Sequence, residues 1–346
     1  MTTFVAVSGG VDSLLSLCLL KELGYRPAAL HGFFLPPGER EMELRNELEH
    51  ICSRRGVPFY CYDFSREFHA RVIHPFLRDY AEGITPNPCA QCNRRVKFGL
   101  LLDTVRELGG DKLATGHYAR VDNGAQLFAP ALYRGADPAK EQSYFLSLVR
   151  PEQLRYALFP LGNWRKERTR QEIMRRVERV PAKRESQEVC FIPDNDYRRF
   201  LRENAPRLPQ AGPIRDSSGR HLGRHRGLHN YTLGQRRGLG IPYFEPLYVL
   251  RKDLAENTLV VGTARELSSQ GCRVKDMNLL LPWSHWPLEV LVQANYRQKP
   301  RRAQVEIAGE TAQVRFLHPA PPPAPGQVMA FYSEQGRVLA GGIISA

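Results

Sequence analysis

The sequence predicts an α/β protein: a doubly wound parallel sheet, then a small central domain, then a C-terminal antiparallel β-barrel. Three observations support this prediction. Short apolar segments alternate with helical patterns up to about residue 204, as in parallel α/β units. The chain then becomes basic and rich in glycine and proline to about residue 270, and short alternating segments follow. We therefore expect domains at residues 1–204, 205–270 and 271–346.

The predicted sheet begins with an apolar strand, Phe4 to Val7, which turns through Ser8-Gly9-Gly10 into a helix with leucines at helical spacing. AALHGFFL and VPFYCYDF are expected as the second and third strands, with a polar helix between them. Further helices are expected over 65–83 and 97–110, and a fourth strand in DKLATGHYAR. Ligands of such sheets bind at the carboxyl ends of the strands. The segments that follow the strands are therefore the first candidates for a functional site.

The C-terminal barrel is predicted from five short alternating segments. They are EVLVQANY, AQVEIAG, TAQVRFL, QVMAFYS and RVLAGGII. The proline tract at 318–326 is expected to form a stiff connection between two of these strands.

The net charge of +13, from 49 Lys and Arg against 36 Asp and Glu, favours a polyanionic partner such as nucleic acid. The excess is clustered at 94–97, 164–170, 220–226 and 297–302, although a basic surface that serves only solubility would explain the charge too. No apolar run approaches ~20 residues, so no membrane span is expected. The N-terminus has no basic segment or cleavage site of a signal peptide, and we expect a cytoplasmic protein.

The segment SGGVDS, residues 8–13, lies where a strand passes into a helix N-terminus, a position that favours anions. Glycines there let the backbone approach a phosphate, although a plain βα turn would also explain them. The loop lacks the Gly-Lys-Ser/Thr ending of a Walker A motif. It resembles the PP-loop of ATP pyrophosphatases, which split ATP between the α- and β-phosphates. The resemblance implies that Ser8, Gly9, Gly10, Asp12 and Ser13 hold the pyrophosphate portion, with Asp12 acting through Mg²⁺.

Further motifs along the chain extend the resemblance. They are TPNPCAQCNRRVKF, ATGHYAR, KEQSYFL, ESQEVCFIP and GLHNYTLGQRRGLGI. With SGGVDS they resemble the tRNA-specific 2-thiouridylases, the MnmA/TrmU family of PP-loop enzymes with an adenine nucleotide α-hydrolase-like fold. This implies an ATP-dependent sulfurtransferase that adenylates and thiolates C2 of the wobble uridine in tRNAs for Lys, Glu and Gln, releasing AMP and pyrophosphate. The implied partners are tRNA and an upstream sulfur donor or sulfur-relay protein.

The resemblance also implies roles for individual residues. Cys92 is the nucleophilic cysteine, and Cys190 carries a persulfide in the relay form of the mechanism. The ATP pocket comprises Ala6, Val7, Ser8, Gly9, Gly10, Val11, Asp12, Ser13, Phe34 and Gly116. The tRNA-contacting positions are Asn87, Pro88 and Cys89 at the target base, and His117, Lys140, Glu141, Gln142, Tyr296, Arg297 and Gln327 elsewhere.

Cys89 stands where many relatives carry Asp, so the chain has a third thiol beside Cys92 and Cys190. Three thiolates with one open iron position suit a 4Fe–4S cluster that delivers hydrosulfide. In the alternative, sulfur passes from a Cys190 persulfide to Cys92 and Cys89 is a bystander. A zinc site would require a fourth ligand, and no fourth cysteine or histidine stands out nearby. A dithiol redox pair would require a thioredoxin-like context, which is absent from the sequence. Three cations, Arg94, Arg95 and Lys97, are expected to lower the pKa of Cys92.

Two basic segments are expected to bind the tRNA itself. GLHNYTLGQRRGLGI interleaves basic and aromatic residues, which suits phosphate contacts and base stacking, although a solvated loop would look similar. NYRQKPRR in the barrel reads as a strip that contacts the tRNA backbone. Other functions remain open: a PP-loop thiolase of another tRNA position, a small-molecule adenylating ligase or amidotransferase, or a non-enzymatic RNA-binding protein.

Overall fold

The first part of the chain is built on a parallel sheet. A computed structural model describes residues 2–124, 130–178, 180–181, 189–192, 194–205 and 207–345. The strands up to residue 158 are β1 (Thr2–Ala6), β2 (Arg26–Phe33), β3 (Phe59–Asp63), β4 (Lys112–Ala114), β5 (Ala119–Asp122), β6 (Ala131–Arg134) and β7 (Ala157–Leu158). Among the described residues the parallel sheet has the order β3–β2–β1–β4–β7, and β5 and β6 form a separate hairpin. The predicted doubly wound fold class is confirmed.

Helices cover both faces of this sheet. They are α1 (Val11–Glu22), α2 (Glu39–Ser53), α3 (Ser65–Phe68), α4 (His74–Ala81), α5 (Pro88–Cys92), α6 (Leu102–Glu107), α7 (Ser143–Leu146), α8 (Pro151–Leu154), α9 (Lys166–Arg176) and α10 (Tyr197–Asn204). π-Helical turns join α3 to α4 at His69–Ile73 and α5 to α6 at Asn93–Leu101. In the described part of the chain, no helix is both long and apolar enough to cross a membrane.

The strand order reverses beside β1. Its neighbours are β2 on one side and β4 on the other, and all three run parallel. The loops that leave β1 and β4 meet at the carboxyl edge of the sheet, with Gly116 against Asp12, at the point where sheets of this kind form a ligand-binding crevice. Apolar clusters bury both faces of β1, with Phe4 packed on one and Val5 on the other. The apolar run of β1 is continuous for this reason.

A small sheet and a closed barrel follow. The strands β8 (Gly212–Asp216), β9 (His221–His225), β10 (Tyr248–Asp253) and β11 (Thr258–Gly262) form a sheet in the order β10–β11–β8–β9 with a small core of its own. The barrel contains β12 (Ser269–Leu279), β13 (Val290–Gln293), β14 (Arg301–Ala308), β15 (Thr311–Ala320), β16 (Val328–Tyr332) and β17 (Val338–Ile344). It closes in the order β12–β15–β14–β13–β16–β17. The proline tract connects β15 to β16, as predicted.

One barrel strand, β12, was not predicted from the sequence. Its pairing shifts register twice, between Ser269 and Gly271 and again between Lys275 and Asn278. Asp276 adopts a φ of 53°, in the left-handed region. These irregularities break the period-2 pattern by which strands are found in a sequence.

The barrel is fixed directly to the first part of the chain. The Tyr144 hydroxyl donates to the Val328 carbonyl oxygen at 3.1 Å. The Asn278 amide donates to the carbonyl oxygens of Ser147 at 2.8 Å and Val149 at 2.9 Å. Apolar side chains from both parts belong to a single buried cluster, in which Tyr332 of the barrel is fully buried. The barrel and the parallel-sheet region therefore share a hydrophobic core.

Candidate active site

Residues 8–10 of the SGGVDS segment form a tight loop after β1, and residues 11–13 form the first turn of α1. Gly10 is the N-cap of α1, and as a glycine it offers no capping side chain to the first N–H groups of the helix. The Ser13 hydroxyl donates to the Gly10 carbonyl oxygen at 2.9 Å and accepts from the Ser8 N–H at 3.1 Å, so it braces the loop from inside. Gly9 adopts a φ of 81°, which favours glycine. The N-terminus of α1 is thereby presented as an anion site.

Asp12 lies on the first turn of α1, and three side chains surround its carboxylate. Lys166 Nζ lies 2.7 Å from both Asp12 oxygens. The Tyr118 hydroxyl donates to Asp12 Oδ1 at 2.8 Å and lies 3.0 Å from Thr169 Oγ1. Burial, followed by the charge of Asp12, raises the pKa of Tyr118, so this hydroxyl stays a donor. A carboxylate on the first turn of a helix that presents an anion site suits a Mg²⁺ ion shared with substrate phosphates.

The remaining predicted ATP positions line the same crevice. Phe34 follows β2, the strand next to β1, and stacks on Phe68 with ring centroids 5.3 Å apart. Gly116 follows β4 and packs on the PP-loop, since a side-chain carbon there would lie 2.9 Å from Asp12 Cβ. Ala6 ends β1, and Val7 and Val11 flank the loop. The structure thus brings the predicted ATP-pocket residues to one edge of the sheet.

The cysteine segment forms the short helix α5. Asn87 is its N-cap, and its side-chain oxygen accepts from the Ala90 N–H at 3.1 Å. The Asn87 amide also lies 3.4 Å from the Tyr144 hydroxyl, so the helix start is tied to α7. Pro88 occupies the first turn, where its missing N–H has no cost. Cys92 ends the helix and is buried, whereas Cys89 is partly exposed.

Burial dominates the electrostatics of these thiols. It raises the pKa of Cys92 to about 12 and that of Cys89 to about 11. The charge of Lys97 opposes both shifts, and the nearby Cys190 adds to them. The expectation of a lowered pKa at Cys92 was therefore wrong for this conformation. Desolvation of the Cys92 thiol outweighs the charge of Lys97, which is the one cation of the three that acts on it. Arg94 interacts instead with Arg150 and Asp276, and Arg95 is exposed.

His117 lies beside Lys97. Its Nε2 is 3.5 Å from Lys97 Nζ, and its Nδ1 is 2.7 Å from Thr115 Oγ1. Burial first, and then the charge of Lys97, lowers the pKa of His117 well below its usual value, so the imidazole is neutral. Because the ammonium can only donate, Nε2 is the acceptor and Nδ1 carries the proton. His117 and Lys97 thus form a polar contact between the β4 loop and the helix that follows Cys92.

The cluster prediction can be compared with the placement of the three thiols. Cys190 raises the pKa of both Cys89 and Cys92, and Cys89 raises that of Cys92, so the three thiols lie near one another, and thiolates are suitable iron ligands. Cys190, however, is exposed, and residues 185–188 of its motif lie outside the described residues. Across the part of the chain that the structure describes, no three His, Cys, Asp or Glu side chains are grouped closely enough to hold a metal ion. The cluster therefore stays a prediction.

The residues Lys140, Glu141 and Gln142 are predicted to contact tRNA, but they are buried or half-buried. Glu141 is 6% exposed, pairs with Arg134 at 3.2 Å and accepts from the Ser143 N–H at 2.5 Å. Gln142 accepts from the Tyr118 N–H at 3.0 Å and donates its own N–H to the Tyr118 carbonyl oxygen. Lys140 is half-buried. Gln142 thus holds the β4 loop in place through Tyr118, and Glu141 holds the Arg134 side chain.

The predicted tRNA residues of the barrel differ in their surroundings. Arg297 is exposed, and the neighbouring Tyr296 packs on Phe145 with ring centroids 4.6 Å apart. Gln327 donates to the carbonyl oxygens of Thr85 and Pro86 in the cysteine segment. The barrel residues therefore lie next to the cysteine segment rather than on a remote surface.

Sequence reasoning missed several residues of this site. Lys166 belonged to a basic cluster that was interpreted only as a surface for nucleic acid. Tyr118, which contacts both Asp12 and Thr169, lies within the ATGHYAR motif, but neither Tyr118 nor Thr169 was singled out from the sequence. A lone Lys at the start of a helix in a cluster of arginines is indistinguishable from surface charge until the helix is placed against α1.

Family models match the chain in three consecutive segments. A tRNA methyl transferase HUP domain matches residues 1–194, a tRNA methyl transferase PRC-barrel domain matches 198–263, and an aminomethyltransferase beta-barrel domain matches 269–344. Among solved structures, the U34-tRNA thiolase NcsA from Methanococcus maripaludis with its 4Fe–4S cluster is similar over 60% of this chain and 68% of that chain, with 17% identity and a TM-score of 0.34. A likeness at that level supports no inference about the site.

Curated relatives match the chain from end to end. The tRNA-specific 2-thiouridylase MnmA of Nitratidesulfovibrio vulgaris (strain Miyazaki F) is 49% identical over 99% of both chains. The protein of the same name from Oleidesulfovibrio alaskensis is 49% identical over 99% of this chain and 98% of its own. That from Geobacter metallireducens is 43% identical over 99% and 96%. The chain therefore belongs to the family of tRNA-specific 2-thiouridylases.

Proposed function

We propose that the protein is an ATP-dependent tRNA-uridine 2-sulfurtransferase that acts on the wobble uridine of tRNAs for Lys, Glu and Gln. One observation carries the proposal: adjacent residues of the β4 loop contact both halves of the site. Gly116 packs against Asp12 of the PP-loop, and His117 contacts Lys97, whose charge acts on Cys89 and Cys92. A phosphate site and a sulfur site so connected suit a reaction that activates an oxygen and replaces it with sulfur.

The PP-loop activates the uracil. The C2 oxygen forms a bond to the α-phosphorus of ATP, the bond from that phosphorus to the bridging oxygen of the β-phosphate breaks, and pyrophosphate leaves with the electron pair. The uracil N3 proton goes to solvent. Ser8, Gly9, Gly10 and the N-terminus of α1 hold the phosphates, and Asp12 would hold a Mg²⁺ ion, which would offset their charge. Phe34 provides a flat surface for the adenine.

Sulfur then displaces AMP. In the relay, the Cys92 thiolate attacks the terminal sulfur of a Cys190 persulfide, so that this sulfur moves to Cys92 and the Cys190 thiolate leaves. The terminal sulfur of the Cys92 persulfide attacks C2, and AMP leaves with the electron pair of the C2–O bond. Cys190 next attacks the Cys92 sulfur, so 2-thiouridine is released and a Cys92–Cys190 disulfide forms. A two-electron dithiol reductant restores the thiols, and an upstream sulfur donor or relay protein restores the persulfide. The exposure of Cys190 suits acceptance of sulfur from a partner.

Sulfur delivery through a 4Fe–4S cluster on Cys89, Cys92 and Cys190 remains a prediction. Its test is iron and acid-labile sulfide in protein purified without oxygen, for the wild type and for Cys89→Ala, Cys92→Ala and Cys190→Ala. Near-stoichiometric iron that each substitution removes would establish the cluster. Absence of iron, together with a Cys89→Ala variant that still thiolates tRNA, would leave the relay.

The proposed recognition of tRNA involves the whole chain. In this proposal residues 1–204 form the catalytic domain, residues 205–270 an adaptor that binds tRNA, and residues 271–346 a barrel that contacts its backbone. The exposed Arg297 and the glycine-rich segment 227–241 supply positive charge on the adaptor and barrel. Asn87, Pro88 and Cys89 lie at the start of α5, where the target base would reach the thiols.

The dependence of AMP formation on tRNA tests the function. The protein is incubated with ATP and Mg²⁺, with unmodified tRNA for Lys, Glu or Gln, and with the same tRNAs carrying cytidine at the wobble position. We expect AMP and pyrophosphate only with the uridine-containing tRNAs, and 2-thiouridine once a sulfur donor is added. AMP formation without any tRNA would indicate a small-molecule ligase. Binding without AMP would indicate a non-enzymatic binder.

A further inference from the structure

We propose that Lys166 is a further residue of the ATP site, where it binds the pyrophosphate portion of ATP and the pyrophosphate product. This inference rests on the proposed function, because it assumes that ATP is split at the PP-loop. Lys166 is the first residue of α9, and its Nζ lies 2.7 Å from both carboxylate oxygens of Asp12. The ammonium is thereby fixed beside the N-terminus of α1, where the phosphates are expected to bind.

The burial of the two partners differs, and this difference supports a role beyond a structural ion pair. The Lys166 side chain is 8% exposed, whereas the Asp12 side chain is 32% exposed. The carboxylate is therefore the more accessible of the two groups. If Asp12 held a metal ion shared with phosphates, the Lys166 ammonium beside both of its oxygens would be close to the same anions. A lysine is a suitable point charge for a phosphate group.

Other contacts hold the Lys166 backbone and the Asp12 carboxylate in place before any nucleotide binds. The Lys166 N–H donates to Asp137 Oδ2 at 2.9 Å, and the buried Asp137 accepts the Ala139 N–H on its other oxygen at 3.0 Å. The Tyr118 hydroxyl restrains Asp12 from another direction. A charge that is already in position costs little reorganisation when negative charge develops on a leaving group. Lys166 would thus stabilise pyrophosphate as the α–β phosphoanhydride bond breaks.

Three variants separate this role from a purely structural one. Lys166→Met keeps most of the aliphatic stem and removes the charge, and Lys166→Arg keeps the charge. Arg168→Met is the matched control, because it removes an equal charge from an exposed position of the same helix. Thermal melting first confirms that each variant is folded. Should Lys166→Met not fold, Lys166→Gln replaces it, since it also removes the charge but keeps a hydrogen-bond donor.

The first measurement is calorimetric binding of inorganic pyrophosphate with Mg²⁺ to the full chain without tRNA. We expect Lys166→Met to weaken binding by about tenfold or more, which corresponds to the loss of one ion pair. Lys166→Arg should keep most of the affinity, and Arg168→Met should stay within about threefold of the wild type. In the full reaction, we expect Lys166→Met to lower kcat for AMP formation by about 10²–10³-fold.

A folded Lys166→Met protein that binds pyrophosphate as tightly as the wild type would overturn the proposal, and Lys166 would then serve only to hold Asp12. The binding assay contains neither tRNA nor a sulfur donor. If the wild type formed no AMP with any tRNA, the proposed function would fail. A loss of pyrophosphate affinity in Lys166→Met would still support the assignment of Lys166 to a phosphate site.

Discussion

Gln327 of the barrel holds the backbone of the cysteine segment at Thr85. Its side-chain amide donates to the Thr85 carbonyl oxygen at 2.9 Å and to that of Pro86 at 3.0 Å. The Thr85 N–H in turn donates to the Pro325 carbonyl oxygen at 3.1 Å. The two residues ahead of Asn87 are therefore held by a part of the chain more than 200 positions away. Contact of tRNA with this part of the barrel would act directly on the segment that carries Cys89 and Cys92.

Replacement of Gln327 by alanine should loosen the cysteine segment without unfolding the protein. Two hydrogen bonds are lost, so we expect the free energy of unfolding to fall by about 1–3 kcal/mol. Hydrogen–deuterium exchange in residues 84–92 should rise, and the rate of tRNA thiolation should fall. Gln335→Ala is the matched control, since that glutamine is exposed in the same barrel. Unchanged exchange in residues 84–92 would show that Gln327 does not restrain them.

The thiols of the tRNA-free enzyme should react slowly with alkylating reagents at neutral pH. Only the thiolate is nucleophilic, and the pKa of Cys92 is about 12 and that of Cys89 about 11. The rate of Cys92 alkylation by iodoacetamide should therefore rise about tenfold per pH unit between pH 7 and 10. Mass spectrometry of quenched samples gives the rate for each cysteine. A rate that levels off near pH 8 would contradict the raised pKa.

Lys97 should account for the electrostatic help that these thiols receive. Its charge lowers the pKa of Cys89 and Cys92 against the larger effect of burial. Lys97→Met should therefore slow alkylation of both cysteines further at any pH below 10 and lower the rate of thiolation. Arg95→Met, on the exposed side of the same helical segment, should leave alkylation unchanged. Equal effects of the two substitutions would mean that general positive charge, rather than the position of Lys97, matters.

The ion pair between Arg134 and Glu141 should contribute strongly to stability. Glu141 is buried, and Arg134 also contacts the barrel through Gln293 at 2.9 Å. Arg134→Met would leave a buried carboxylate without its cation, and we expect a loss of about 3–5 kcal/mol in urea unfolding. The exposed pair between Arg54 and Glu178 offers a comparison, because Arg54→Met should leave the free energy of unfolding nearly unchanged. Similar losses in the two variants would refute the buried-pair argument.

Arg297 should contribute to tRNA affinity through the phosphate backbone. Arg297→Met should weaken binding of all tRNAs to a similar extent and reduce the slope of log Kd against log salt by about one. Arg302→Met is the control, because Arg302 already pairs with Glu289 and Glu334 and has less charge to offer. Filter binding over a range of salt concentrations measures both. A loss confined to one tRNA would indicate contact with a base.

The sequence predicted those features that depend on local pattern. Four of the five strands of the parallel sheet, the glycine turn after β1 and five strands of the barrel follow from apolar periodicity and glycine placement, whereas the two-residue strand β7 was not predicted. Prediction from the sequence failed where the pKa of a residue depends on its burial. The cations near Cys92 suggested a lowered pKa, but α5 packs into the apolar core, and desolvation outweighs the charge of Lys97.

Long-range contacts were equally inaccessible from the sequence. Lys166 and Asp12 are 154 positions apart, and only the packing of α9 against α1 brings them together. Glu141 was expected to contact tRNA because of its motif, and the buried pair with Arg134 appears only once the hairpin of β5 and β6 is placed. Residue type and spacing do not reveal which charges become buried together.

The hydrophobic core shared by the parallel-sheet region and the barrel bears on how such an enzyme can evolve or be dissected. Tyr332 and Val338 of the barrel belong to the same buried cluster as Phe68 and Tyr144. A chain cut before the barrel would expose that cluster, so the catalytic part is not a transferable module. Insertions and deletions would be tolerated in surface loops but not where the parallel-sheet region packs against the barrel. The two parts are best regarded as one cooperative folding unit, whose members must change together.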